Sequence, residues 1–206
     1  MKPMDELEAL SRTAMTFAPR TARGIALPNL LFFTDPARVP DPEAVAERLP
    51  RGVGIVFRAF GAADAAVRGL RLRAISDQRG LVLLVGADET LAEAIGADGV
   101  HLPERSRDLA PDLRARRPDW LITITAHDHA AAIAASALGA DALVVSPIFQ
   151  GNSPSAGPAL GVQGLTKLIS ATVTPVYALG GIGTGTVEGL KNTGVVGLAA
   201  VEAFLA

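Results

Sequence analysis

With 206 residues, 49% of them apolar and 19% charged, the chain is long enough for one domain with a large core, and close to the shortest length that completes an eight-fold β/α barrel. A net charge of −2 with no basic stripe excludes a general attraction for nucleic acid. Cysteine is absent, which excludes disulfides, thiolate metal sites and a cysteine nucleophile.

Met1 to Leu10 carries Asp5, Glu6 and Glu8 and lacks the apolar stretch of a secretory signal. No apolar run reaches the length that spans a bilayer, so a cytoplasmic protein without membrane contact is expected. Met4 to Phe17 has amphipathic spacing. This helix is expected to cover the bottom of a barrel or to pack against a second subunit of a homo-oligomer, within a lead-in over residues 1–29.

Strand-like apolar runs then alternate with helical patterns over residues 30–206. Leu30-Leu31-Phe32-Phe33 is the first run, closed by the turn and cap signal Thr34-Asp35-Pro36, and Pro42 to Leu49 is a short helix. Val53 to Phe57 is the second strand and Ala62 to Arg79 a long helix with alanine and arginine faces. Leu81 to Val85, closed by Gly86, is the third strand; Asp88 to Ile95 is helical and Gly99 to Leu102 is the fourth strand. Pro111 and Pro118 bracket a helical piece before the fifth strand, Trp120 to Thr125. Ala142 to Val145, Val176 to Leu179 and Val195 to Ala199 complete the set, each followed by a helical segment. Continuous apolar strands are buried on both faces, as in a parallel sheet under helices. Eight alternations without a polar linker predict a single (β/α)8 TIM barrel with an N-terminal helix.

A weak internal repeat agrees. Gly96-Ala97-Asp98-Gly99 resembles Gly139-Ala140-Asp141-Ala142, each glycine stopping a helix in the left-handed conformation before the chain turns into a strand. The two aspartates fall at strand beginnings, the stability face of a barrel, and read as structural. Gln150 to Pro158, QGNSPSAGP, is a loop after the sixth strand, read either as a mobile lid or as a spacer.

Gly180-Gly181-Ile182-Gly183 ends the seventh strand and is expected to open a helix whose free amides hold a phosphate, against the plainer reading of a glycine turn. His127 follows the fifth strand at a rim position suited to proton exchange, or serves as a satisfied polar residue at the junction. His101 lies on a strand and reads as a hydrogen-bonded barrel residue, while His129 is expected to face solvent; the three lack metal-ligand spacing. Arg58 ends the second strand, where an arginine suits a phosphate or carboxylate, or an ordinary surface ion pair. The cations are 16 Arg and only three Lys, namely Lys2, Lys167 and Lys191.

In order along the chain, LFFTD (Leu31 to Asp35), GVGIVFR (Gly52 to Arg58), GADGVHL (Gly96 to Leu102), Thr125-Ala126-His127, SPIF (Ser146 to Phe149) and ALGGI (Ala178 to Ile182) resemble the thiamine-phosphate synthase/TenI family. The resemblance implies a role in thiamine biosynthesis and a phosphorylated thiazole or pyrimidine ligand at the C-terminal mouth of the barrel. It also implies ligand contacts from Arg58, Thr125, Gly180 and Gly181. In the family's synthase reaction a thiazole phosphate nitrogen displaces pyrophosphate from a hydroxymethylpyrimidine diphosphate, with magnesium and cationic side chains on the leaving group.

This chain departs from that pattern. The family's Gln-x-Arg-x-Lys falls on Val56, Arg58 and Phe60, its Asn-Asp pair on Gly86 and Ala87, and its magnesium aspartate on Ser106. The lysine after SPIF falls on Pro154 and the phosphate-binding serine of the last strand on Glu202. The reading placed first is a TenI-like protein, binding or tautomerising a thiazole phosphate with His127 as acid–base catalyst and no cofactor. A second is an active synthase that holds Mg²⁺ on relocated ligands, Asp88 and Glu104. A third is a non-enzymatic binding or interaction protein on the same barrel.

Overall fold

The computed structural model describes residues 6–151 and 157–205. Eight parallel strands form a closed barrel: β1 (Leu30–Phe33), β2 (Gly54–Phe57), β3 (Val82–Gly86), β4 (Gly99–Leu102), β5 (Leu121–Ala126), β6 (Ala142–Val145), β7 (Val176–Leu179) and β8 (Gly197–Ala200). They pair in chain order, and β8 closes on β1. Helices α1 (Glu6–Ala14), α2 (Pro42–Ala46), α3 (Ala65–Arg79), α4 (Glu89–Ala94), α5 (Ala110–Arg116), α6 (His129–Ala137) and α7 (Gly161–Ser170) surround it.

Strand residues alternate between two cores, as the two-residue period of a strand requires. Leu31, Phe33, Val56, Leu84, Val144, Tyr177 and Ala199 pack inside the barrel. Leu30, Phe32, Ile55, Leu83, Ile122, Leu143 and Leu198 face outward into the layer shared with the helices. Because both faces are apolar, the strands read as unbroken hydrophobic runs. Aspartates start three helices: Asp41, Asp88 and Asp128 each accept the backbone N–H three residues on.

Several boundaries differ from expectation. The second, third and fifth strands begin one residue later than the apolar runs, and β8 begins at Gly197. The helix after β1 stops at Ala46 and α3 starts at Ala65. Pro111 does not bracket α5 but sits in its first turn, where a missing N–H costs nothing. The segments after β7 and β8 are single 3-10 turns, Val187–Leu190 and Glu202–Phe204, rather than α-helices. Gly183, Gly185, Gly189 and the β-branched residues among them disfavour a longer helix there.

The N-terminal helix is also placed differently. Its seat is the side of the barrel and not the bottom: α1 lies against β1, β8 and the two 3-10 turns, burying Ala9, Leu10, Thr13 and Ala14. Its C-terminal carbonyl, that of Ala14, accepts from Asn29 Nδ2 just below β1, while Glu6 at its start reaches Gly183 at the opposite end. It therefore runs antiparallel to the strands, like the other outer helices. The bottom is closed instead by a two-stranded ribbon, Thr21–Ala22 with Ile25–Ala26, whose Ala22 joins Leu27 under the interior core. Tyr177 donates its hydroxyl to the Pro28 carbonyl at 2.7 Å from inside the barrel, and burial pushes that phenol's pKa up.

The internal repeat is a repeated contact. Asp98 Oδ2 accepts the Leu83 N–H at 2.7 Å and Asp141 Oδ2 accepts the Ile122 N–H at 2.8 Å. In each case an arginine from the helix before the accepted strand, Arg73 or Arg114, binds the same carboxylate. Gly96 and Gly139, with φ of 65° and 83°, make the turn into each aspartate.

Candidate functional site

A cavity of about 830 Å³ opens at the C-terminal ends of the strands. Its floor is the uppermost inward residues, Phe33, His101, Thr125 and Leu179, and its rim is the following loops. Placement there follows from strand parity: Phe33, His101 and Thr125 belong to the inward set of their strands.

His101 is buried. Its Nδ1 and Nε2 lie 2.9 Å from Thr123 Oγ1 and Thr125 Oγ1, and the edge of its ring meets Phe33 at a centroid distance of 4.9 Å. Burial, reinforced by the charge of Arg58, lowers its pKa to about 3, so the imidazole is neutral at ordinary pH. The hydroxyl of Thr125, expected to bind ligand, is engaged with this histidine, while the residue remains part of the cavity wall.

His127 is exposed on the rim. Its Nδ1 donates to the Ser146 carbonyl at 2.6 Å, so Nε2 carries the free lone pair of the neutral ring. Ser146 begins the SPIF loop, and its peptide bond to Pro147 is cis. His129 is exposed in the first turn of α6.

Arg58 is held from three sides. Its Nε donates to the Thr34 carbonyl at 2.6 Å, its guanidinium lies 3.3 Å from Asp35 Oδ2, and its backbone N–H donates to Thr34 Oγ1. Arg38, absent from the sequence-based site, pairs with Asp35 at 3.0 Å and approaches Glu202 at 3.9 Å. Burial would raise the Asp35 carboxyl, but hydrogen bonds from Arg38 and the charges of Arg38 and Arg58 hold it below the usual carboxylate range. Burial also draws the Arg58 guanidinium down from its ordinary pKa, with Asp35 opposing that shift. Glu202 lies on the rim as its register implies, yet a cation accompanies it. The turn signal at Thr34-Asp35-Pro36 marked the segment, since Asp35 Oδ1 accepts the N–H groups of Ala37 and Arg38. Nothing in sequence marked Arg38 as the partner of Glu202.

Gly180 and Gly181 line the cavity with φ of 98° and 63°. A Cβ on Gly181 would stand 2.6 Å from the Gln150 carbonyl oxygen, and one on Gly180 would stand 2.9 Å from Pro147 Cα. The SPIF loop therefore accounts for both glycines by close approach. The expected helix opening is corrected. Thr186 Oγ1 accepts the Gly183 N–H and donates to the Gly181 carbonyl, forming a closed turn before the short 3-10 segment.

The alternative magnesium ligands are apart in role. Asp88 lines the cavity but commits Oδ1 to capping α4. Glu104 accepts the His127 backbone N–H at 3.2 Å, lies 3.9 Å from Arg107, and faces a side hollow with Arg105, Arg107 and Asp108. Among the described residues no group of three or more His, Asp or Glu is placed to hold a metal ion. Gly86 and Ala87 offer no side-chain oxygen. Asp88 and Glu104 thus face different hollows, Asp88 the mouth and Glu104 the side hollow. Lys167 is exposed on α7, and Lys191 pairs with Glu188 at 2.7 Å, both away from the cavity. Lys2, Pro154 and most of the QGNSPSAGP loop lie outside the described residues. Among the described residues no helix is long and apolar enough to cross a membrane.

Comparison with known proteins agrees with this geometry. The family model described as thiamine monophosphate synthase (TMP-TENI) matches residues 30–204. A putative thiamine-phosphate synthase 2 of Aquifex aeolicus is 31% identical over 185 residues, covering 87% of this chain and 98% of the relative. A thiamine-phosphate synthase of Methanoregula boonei is 37% identical over 147 residues, covering 69% of this chain and 67% of the relative. The solved thiamine phosphate pyrophosphorylase from Pyrococcus furiosus superposes with a TM-score of 0.74 at 26% identity over 85% of each chain. FabK from Thermotoga maritima, at 14% identity and a TM-score of 0.64 over 87% of this chain and 59% of its own, shares the fold alone. With the family model spanning the whole barrel and a relative 31% identical over most of both chains, the chain belongs to the thiamine monophosphate synthase/TenI family.

Proposed function

We propose that this chain is a TenI-like protein that binds a small phosphorylated thiazole-type ring at the barrel mouth and moves a proton on it with His127. The observation that carries the reading is the hydrogen bond from His127 Nδ1 to the Ser146 carbonyl, which fixes the tautomer and leaves Nε2 to exchange protons beside the cavity. In a tautomerisation, Nε2 takes a proton from one carbon, the electron pair shifts through the ring system, and the same proton is returned to another carbon. The Nδ1–H bond persists in both protonation states. No oxidant, reductant or leaving group is required. Departure of pyrophosphate is different chemistry, for which the missing carboxylates and lysines leave too little charge stabilisation.

The ligand's phosphate would sit by Gly180 and Gly181, with Arg38 offsetting Glu202. Glu202→Ser should then tighten binding of a thiazole phosphate roughly five- to tenfold, because one rim anion is removed and Arg38 is released. Calorimetry showing unchanged affinity would move the phosphate elsewhere.

His127→Ala should lower tautomerase turnover by about 10²–10⁴-fold while ligand affinity stays within a factor of two or so. NMR that follows the two tautomers of a thiazole phosphate, with calorimetry alongside, separates the outcomes. A wild-type protein that binds without turnover would make it a binding protein. Stoichiometric thiamine phosphate and pyrophosphate from both synthase substrates with Mg²⁺ would instead establish the transferase on relocated ligands.

A further inference from the structure

Phe60 combines three features that a residue without a task rarely combines. Its φ is 49°, in the left-handed region where an aromatic side chain is strained. It is 70% exposed, although it is one of the larger apolar side chains in the protein. It also lines the mouth cavity. Its neighbour Gly61, at φ 77°, shows that the backbone here turns where glycine is the natural occupant.

What holds the ring is Arg58. The guanidinium carbon lies 5.4 Å from the Phe60 centroid and 5.6 Å from the Phe33 centroid, so the cation sits within reach of both rings. Arg58 is itself tied to Thr34 and Asp35, which makes this a fixed stack and not a loose surface contact. A guanidinium covers at most one face of the ring, and the remaining exposed surface is available to the cavity.

We infer that Phe60 is a stacking platform that selects a flat aromatic ring as the ligand of this mouth. Resting on the ligand reading above, this adds the specificity-determining residue and explains why an apolar ring stands on a rim built around arginines. An aromatic heterocycle laid on Phe60 covers its exposed surface, on a ring that the Arg58 guanidinium already contacts.

The test uses two phosphate monoesters, hydroxyethylthiazole phosphate and glycerol 3-phosphate, with wild type, Phe60→Gly and Phe60→Leu. Phe60→Gly relieves the positive φ, so its Tm should equal or exceed that of wild type, while the thiazole ester should bind about tenfold more weakly. Phe60→Leu keeps an apolar side chain and should lose most of the same affinity. The glycerol ester should bind more weakly than the thiazole ester to wild type and equally to all three proteins. Ring protons of the bound thiazole should shift upfield in wild type only. Equal affinity of wild type and Phe60→Gly for the thiazole ester overturns the platform and leaves the phosphate reading standing. Failure of both esters to bind wild type overturns the ligand reading and the platform together.

Discussion

Replacing Asp141 by alanine should destabilise the protein by about 3–5 kcal/mol, the largest effect expected of any single polar substitution in the barrel. The side chain is 1% exposed and binds the Arg114 guanidinium while accepting the Ile122 N–H, with Arg23 at 4.0 Å on its other oxygen. Removing it strands a charge that is itself mostly buried, together with a strand N–H. Asp98 makes the corresponding contacts, but its side chain is 44% exposed and Arg73 also has Asp77 at 2.7 Å. Asp98→Ala should cost only about 1 kcal/mol, since water and the second carboxylate take over. Urea unfolding of both variants measures the contrast. Equal losses would mean that the two halves of the repeat are energetically alike and that burial does not decide their weight.

His101 should make stability fall with acid. Its folded pKa of about 3 lies below the value of 6.5 ordinary for an unfolded chain. Between these values the unfolded state binds the extra proton, so stability rises with pH through that window. The contribution is complete above about pH 6.5 and declines by roughly 1.4 kcal/mol per pH unit below it. A protonated ring could still donate to both threonine hydroxyls, so the cost is charge burial beside Arg58 and not broken hydrogen bonds. Unfolding free energies of wild type and His101→Gln from pH 7 to 4 should therefore diverge in slope. Parallel curves would show that the imidazole is not held neutral. By the same reasoning, an activity profile near neutrality should contain no step from His101.

The barrel was legible because its strands are buried on both faces, so Leu30 to Phe33 and Ala142 to Val145 stand out without any alternation to interpret. Rim residues such as Arg58 and His127 were legible for a related reason: a polar residue just after such a run must stand at the mouth. The pairing of Arg38 with Glu202 was not, since it joins loops at opposite ends of the sequence through barrel closure. Gly180 and Gly181 showed the reverse difficulty. Their sequence reports only that a side chain is forbidden, and the structure gives the SPIF loop as the reason. The face of α1 told that something covers it, and its pattern could not distinguish the barrel's side from its bottom.

The position of α1 bears on how the molecule is made. Phe32 of the first strand meets Phe204 beyond the last at a ring distance of 5.1 Å, and α1 lies over that seam. The hoop therefore shuts only after the final strand has left the ribosome, and until then Leu10, Ala14 and Phe32 lack the part of their seat that β8 and the turn after it supply. Such dependence on sequence-distant contacts slows folding and lengthens the interval in which a nascent chain is adhesive to its neighbours.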